Sequence, residues 1–344
     1  MASNGPDLDM VNQTGDCLLS FNSSCSKAYS SSSVVYALLY VAAAAVVFLT
    51  VCGNLLVIIS VSHFKQLHTP TNILILSLSI SDFLVGLFLM PLHLIMLIES
   101  CWLFGPLFCS LYNLIGFQLT FVSIHNVSII AVDRYFALSN PFCYAKKVSL
   151  QVIFTVAVLI WVMSLFYNFS LLYVNGNFTD LKLCPGDCFA AIDEVWSTID
   201  LLVVFVLPCA TMIILYLKIF VIAKRHAVAM RAVIKHRNVC DIHSTSSDTK
   251  YERKAAKVLG ILVSVFLACL VPYYVLILLI DVINSQSFYS VLSNILTLFY
   301  LNSTINPIIY ALFYPWFQRS MRLIFTLRIF RQESSMINVH LNAM

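Results

Sequence analysis

Asp200 is the residue of this chain with the most chemistry open to it. It stands in the run Ser197-Thr198-Ile199-Asp200-Leu201-Leu202-Val203-Val204-Phe205, eight residues before Pro208. A lone carboxylate in an apolar run that crosses a membrane marks a ligand or ion site by default, because burying it is costly. Without a partner its charged form is disfavoured, and an incoming cation restores that form through a charge-assisted hydrogen bond. The competing reading is that Asp200 lies close enough to the end of its run to reach water. Asp82 is a second acid inside an apolar run, and Asp133-Arg134-Tyr135 places opposite charges side by side at the end of another. Aromatic rings attract cations with their faces; Tyr273 and Tyr274 after Pro272, and Tyr300 one turn before Thr304, are candidates, with Tyr112 and Phe117 weaker ones. The competing reading for each ring is ordinary packing. No nucleophile–base set and no zinc-ligand spacing appears, so the chain is not expected to be an enzyme.

The elements that carry these residues follow from composition. The chain has 344 residues, 60% hydrophobic and 10% charged, with a net charge of +4. Soluble domains carry about 25% charged residues, so a water-soluble enzyme is excluded. A nucleic-acid binder is excluded as well, since the basic residues lie between apolar spans and not on one face. Seven runs are long enough to cross a bilayer as helix, which takes about 20 residues: Val34–Ser60, Asn72–Ile98, Leu107–Phe136, Leu150–Val174, Val195–Ala223, Ala255–Ile283 and Tyr289–Phe313. A barrel would need short alternating strands instead. The expected fold is therefore an all-α membrane protein, a seven-transmembrane helix bundle over 34–313. A polar segment, 1–33, precedes it and has no apolar stretch of the signal-peptide kind. The segment 314–344 is expected to be an amphipathic helix on the inner leaflet and a cytoplasmic tail, with Phe317, Met321, Leu323, Ile324, Phe325 and Leu327 set among Arg319, Arg322 and Arg328.

Eighteen of the 20 lysines and arginines fall on one side of these runs and only Lys27 and Lys182 on the other. The positive-inside rule then places the N-terminus outside and the C-terminus inside. Asn12, Asn22 and Asn177 head glycosylation acceptor patterns on the expected outer side. Cys17, Cys25, Cys184 and Cys188 are expected there too, with Cys101 and Cys109 at the boundary. Bridges form in that oxidising environment, but spacing does not give the pairing. The inner loop from His226 to Tyr251 is basic, then Ser/Thr-rich, and is expected to be mobile.

One motif per span carries a resemblance over about Val34 to Phe330. Asn54, Asp82, Asp133-Arg134-Tyr135, Trp161, Pro208, Pro272 and Asn306-Pro307-Ile308-Ile309-Tyr310 appear in the order seen in rhodopsin-like G-protein-coupled receptors. The stretch Asn302-Ser303-Thr304-Ile305-Asn306-Pro307-Ile308-Ile309-Tyr310-Ala311-Leu312-Phe313-Tyr314-Pro315-Trp316-Phe317 resembles the fingerprint of trace amine-associated receptors at every fixed position. The resemblance implies a small amine ligand and a stimulatory or olfactory G protein that raises cAMP. It also implies a plasma-membrane location, in the cilia of olfactory neurons. It implies a Cys109–Cys188 disulfide and a second bridge from the N-terminal segment to Cys184, with Cys25 as partner and Cys17 as the alternative. It places Asn54, Ser123, Asn302 and Asn306 around Asp82 as an oxygen-rich site for an allosteric sodium ion; no other cofactor is implied. It pairs Arg134 with Glu252 across to span six, and assigns Tyr216, Pro307 and Tyr310 to the G-protein switch. It puts Tyr273, Tyr274 and Tyr300 in the ligand pocket.

Two positions depart from that pattern. The usual amine-binding aspartate of span three is Gly116, seven residues past Cys109, and no acid lies nearby in that span. A fish-type subgroup that lacks this aspartate and keeps one in span five resembles the chain here, which implies that Asp200 holds the ammonium and that the ligand lies turned around. The usual Trp two residues before the span-six proline is Leu270, so either activation uses another packing change or basal activity is altered. The alternatives are a rhodopsin-like receptor for a non-amine ligand and a transporter, for which the sequence shows no repeat.

Overall fold

A computed structural model describes residues 33–178, 188–190, 192–236, 243–279, 286–331 and 334–339. Among them seven helices are long and apolar enough to cross a membrane: span one Ser33–His63, span two Pro70–Glu99, span three Gly105–Ser139, span four Leu150–Val174, span five Glu194–Arg225, span six Val258–Leu279 and span seven Val291–Phe313. Outer and inner denote below the two ends as the lysine and arginine distribution assigns them. Span three packs against spans two, four and five, and span seven returns to span one, closing the bundle.

The perimeter is apolar and exposed, with Phe48, Phe154, Phe166, Leu217 and Phe220 all facing outwards. In a bundle crossing lipid this is the expected surface, since tails are as apolar as the side chains. Inside, two apolar clusters stack along the bundle axis. The outer one holds Trp102, Tyr112, Leu119 and Tyr300; the larger one holds Phe266, Leu270, Tyr274 and Tyr310.

Proline shapes two spans. Pro91 and Pro208 lack the amide donor, and each ring crowds the carbonyl four residues earlier. The helix widens to a π-turn at Val85–Leu89 and at Leu201–Val206, just ahead of each proline. Gly86 in the first of these turns lets span one approach closely, since a Cβ there would lie 2.8 Å from Thr50 Cγ2.

The inner face adds elements that the sequence reading did not separate. A short helix, Pro141–Lys147, follows span three. The amphipathic helix runs only over Pro315–Phe325, burying Trp316, Phe317, Ser320 and Leu323 on one side. Leu327 then takes a left-handed φ of 56° and turns the chain. The tail folds back beneath span one: Val339 is buried, its amide donates to Gln66 Oε1 at 3.2 Å, and Ser334 Oγ lies 2.9 Å from His63 Nε2. Span five continues as helix up to His236, and a helix begins again at His243 and runs into span six.

Candidate functional site

Asp200 closes the first helical segment of span five, immediately before the π-turn. Its carboxylate is half-buried and turned toward span four, where the Tyr167 hydroxyl donates to Oδ1 at 3.1 Å. Phe121 of span three leans on the Tyr167 ring at 5.6 Å and stacks on His125 at 3.9 Å. Behind Tyr167, Gln118 donates to Ser164 Oγ at 2.7 Å, and Asn168 donates to the Ser164 carbonyl at 2.8 Å. This polar seam ties spans three and four together and holds the Tyr167 backbone in place.

On the other side of Asp200 lies an aromatic arc. Phe205 stacks flat on Tyr274 at 4.2 Å, Tyr273 meets Tyr274 edge-on at 5.5 Å, and Phe299 continues the arc from Tyr273 to Tyr300. The Asp200 charge acts on Tyr167, Tyr273 and Tyr274 together. The arrangement is a single carboxylate with one neutral donor and two span-six tyrosines within range of its charge. Among the described residues the one ion pair is Arg134–Asp133, at 2.6 Å, so Asp200 has no cation of the protein's own among them.

Gly116 sits at a separate corner. A Cβ there would lie 3.8 Å from the Tyr300 hydroxyl. With no acid to bind, that hydroxyl pairs with Tyr112 at 3.2 Å, Tyr112 with His93 Nδ1 at 3.3 Å, and His93 Nε2 with Thr297 at 2.9 Å. Tyr112 and Tyr300 are thus brought together on the side of spans two and seven, away from Asp200. Phe117 is half-buried and belongs to neither described apolar cluster. Leu270 is fully buried in the cluster below Tyr274.

The Asp82 site differs in detail from the expected set. Asn306 does bind it, donating to Oδ2 at 2.7 Å, but the partner on Oδ1 is Ser303, at 2.8 Å. Ser123 instead lies 3.0 Å from Ser81 Oγ, and Asn54 donates to the carbonyls of Thr50 and Ser303, both at 2.9 Å. Ser303 takes the place because it lies one turn before Pro307 on the face of span seven that meets span two. The side-chain carbonyls of Asn54, Asn302 and Asn306 are buried without a hydrogen-bond partner. Ser123, Asn302 and Ser303 also line a void of about 10 Å³. Orphaned oxygens beside a carboxylate are the donor set a hard cation prefers, so the residues fit a sodium ion.

At the inner face Arg134 is held by its neighbour. It donates to Asp133 Oδ2 through Nε at 3.0 Å and also donates to Thr71. Thr71 donates to the same oxygen at 2.7 Å, and the Tyr144 hydroxyl donates to Oδ1 at 2.6 Å. Thr71 and Tyr144 were missed in the sequence, although a tyrosine eleven residues after an aspartate at a helix end is a short-range signal. The Glu252 side chain lies outside the described residues. Tyr135 is approached by Lys218 Nζ at 5.6 Å from the ring centre. Tyr310 is buried and Tyr216 half-buried, both with buried, unpartnered hydroxyls, and Pro307 packs directly on span one at Gly53.

The Cys109–Cys188 disulfide is present and anchors the second outer loop to span three. Cys101 is also disulfide-bonded. Cys25, Cys184, Asn12 and Asn22 lie outside the described residues. Asn177 is 1% exposed, and its carbonyl accepts from Ser110 at 2.8 Å.

The family model for the rhodopsin family of seven-transmembrane receptors matches residues 53–310. Trace amine-associated receptor 13c of Danio rerio is 39% identical, over 96% of this chain and 99% of that protein. Trace amine-associated receptor 4 of Mus musculus is 35% identical, over 98% of this chain and 99% of its own length. Trace amine-associated receptor 7a of Rattus norvegicus is 38% identical over 85% of this chain and 83% of its own. With a seven-helix bundle, matched nearly end to end, the chain belongs to the trace amine-associated receptors, within the rhodopsin family of seven-transmembrane receptors.

Proposed function

We propose that this multi-pass membrane receptor senses small protonated amines, with Asp200 as the ammonium counter-ion. The observation that carries the reading is the Asp200 carboxylate, bonded by Tyr167, with Tyr273 and Tyr274 within range of its charge and no cation paired with it among the described residues. A carboxylate flanked by ring faces favours an ammonium through charge and quadrupole together. The corner at Gly116 is uncharged, so the ligand's apolar part lies toward it and its head toward span five.

Binding shifts a pre-existing equilibrium between resting and active states. The active state engages a stimulatory or olfactory G protein and raises cAMP. The resting state is held by the Asp133–Arg134 pair with Thr71 and Tyr144. Asp82, with Asn302 and Ser123 on the adjoining void, would hold a sodium ion, whose positive charge would favour that resting state. The lysine and arginine distribution sets the N-terminus outside, and family membership favours the cilia of olfactory neurons as the location.

The test is a cAMP assay with alkyl, aromatic and diamine panels on wild type, Asp200→Asn and Asp200→Ala, with surface expression measured. Losing one partner of a buried charge pair lowers potency by about 100-fold, so both variants are expected to lose the response. A response that survives in both moves the cation elsewhere. A well-expressed wild type silent to every amine favours the non-amine reading, to which the missing acid at Gly116 points.

A further inference from the structure

We propose a second ligand site, in the cleft between spans one, two and seven, that holds a protonated amphiphile with its ammonium on Glu99 and its hydrocarbon chain along the cleft. The site is separate from Asp200 and does not depend on the reading of that residue.

The cleft is a cavity of about 210 Å³. Its walls are apolar, with Leu39, Ala43 and Val46 from span one, Leu94 and Leu97 from span two, and Leu301 from span seven. Leu39 and Ala42 on its outer wall are exposed on the perimeter of the bundle, so the cavity is entered from the hydrocarbon side, where an amphiphile concentrates.

Glu99 ends span two, next to Ile98 on the cavity wall. Tyr40 donates to Glu99 Oε1, and Tyr36 donates to Oε2 at 3.5 Å. The two rings stand 6.2 Å apart. Both donors are neutral, and an ionised carboxylate keeps further lone pairs to offer. No cation among the described residues faces Glu99. A carboxylate beside two tyrosine rings, above a dry slot, complements an ammonium that carries an alkyl chain. A fatty acid would meet like charge at the rim, and a neutral alcohol would gain only an ordinary hydrogen bond.

The inner half of the slot carries one polar pair on an otherwise apolar wall. His93, fully buried, and Thr297 bond to each other on its wall, Met90 and Leu301 line it one turn deeper, and Tyr300 lines its side. Nine positions separate Met90, the deepest span-two residue on the cavity wall, from Glu99, about 14 Å of helix, which matches an extended dodecyl chain. Tyr300 is also the wall that meets Gly116. An occupant therefore presses on the Thr297–His93–Tyr112–Tyr300 chain of hydrogen bonds from behind, which is the route by which it would tune the main pocket.

The probe is a dodecylammonium with a diazirine near the chain end, applied to purified full-length receptor in phosphatidylcholine nanodiscs. Adducts are mapped by mass spectrometry. Saturable labelling of 36–46 and 93–98, displaced by unlabelled dodecylammonium, is expected. Glu99→Gln, which keeps the shape and an acceptor for one of the two tyrosines, is expected to weaken labelling by about tenfold, and Ala43→Phe to abolish it by filling the slot. Asp200→Asn is expected to leave it unchanged, which separates this site from the amine pocket. Equal labelling by the matching dodecanol probe, no effect of Glu99→Gln, or no saturable adduct would each overturn the proposal.

Discussion

The Tyr167 hydroxyl donates to the Asp200 carboxylate across 3.1 Å, tying span four to span five at the depth of the aromatic arc. A neutral donor on one oxygen stabilises the charged form and fixes its direction while leaving the other oxygen for a ligand.

Tyr167→Phe removes that donor and leaves the ring in place against Phe121. A hydrogen bond to a charged group contributes about 1.5–3 kcal/mol. Amine potency is therefore expected to fall about tenfold or more, with maximal response retained. Concentration–response curves in the cAMP assay check this; unchanged potency would show that the contact plays no part in binding.

Leu270 is fully buried beneath Tyr274. Restoring the usual indole with Leu270→Trp overfills a packed core, which costs about 1–3 kcal/mol. The variant is expected to melt at lower temperature in detergent and to reach the surface less well. A melt equal to wild type would mean that the cluster has room to spare.

Gly53 allows span one to lie on Pro307, since a Cβ there would come 2.8 Å from the proline Cγ. The proline ring cannot swing aside as a flexible side chain would, so Gly53→Ala must push spans one and seven apart. A loss of about 1–3 kcal/mol is expected, read as a lower melting temperature that Gly116→Ala, which has space, does not reproduce.

Tyr144, on the short inner helix, holds Asp133 Oδ1. Burial, then the hydrogen bond to Asp133 and its charge, push the phenol above its ordinary value. A raised phenol keeps its proton, and the contact, at every pH below the ordinary tyrosine value of about 10, losing them only as pH climbs through the higher folded value. Tyr144→Phe removes one restraint on the resting state and is expected to raise basal cAMP about two- to tenfold, from a net hydrogen bond of about 0.5–1.5 kcal/mol. Basal cAMP at matched surface expression checks it, and no rise would place the restraint elsewhere.

The sequence alone determined that this chain crosses a membrane seven times, because seven apolar runs of sufficient length have no other solvent. It also singled out Asp82, Asp200 and Arg134, since a charge inside such a run stands out in one dimension. The Cys109–Cys188 bridge and the family were legible in motifs spread one per span. Only the tertiary structure decided which polar groups meet. Ser303, not Ser123 or Asn54, reaches Asp82; Tyr167, a tyrosine like any other in an apolar helix, reaches Asp200; Tyr300 turns to Tyr112. In a membrane bundle all faces of a helix read as apolar, so periodicity does not say which face looks inward. The π-turns ahead of Pro91 and Pro208 rotate the outer parts of spans two and five, and with them the facing of Glu99 and Asp200. Such rotations are settled when the helices pack against one another.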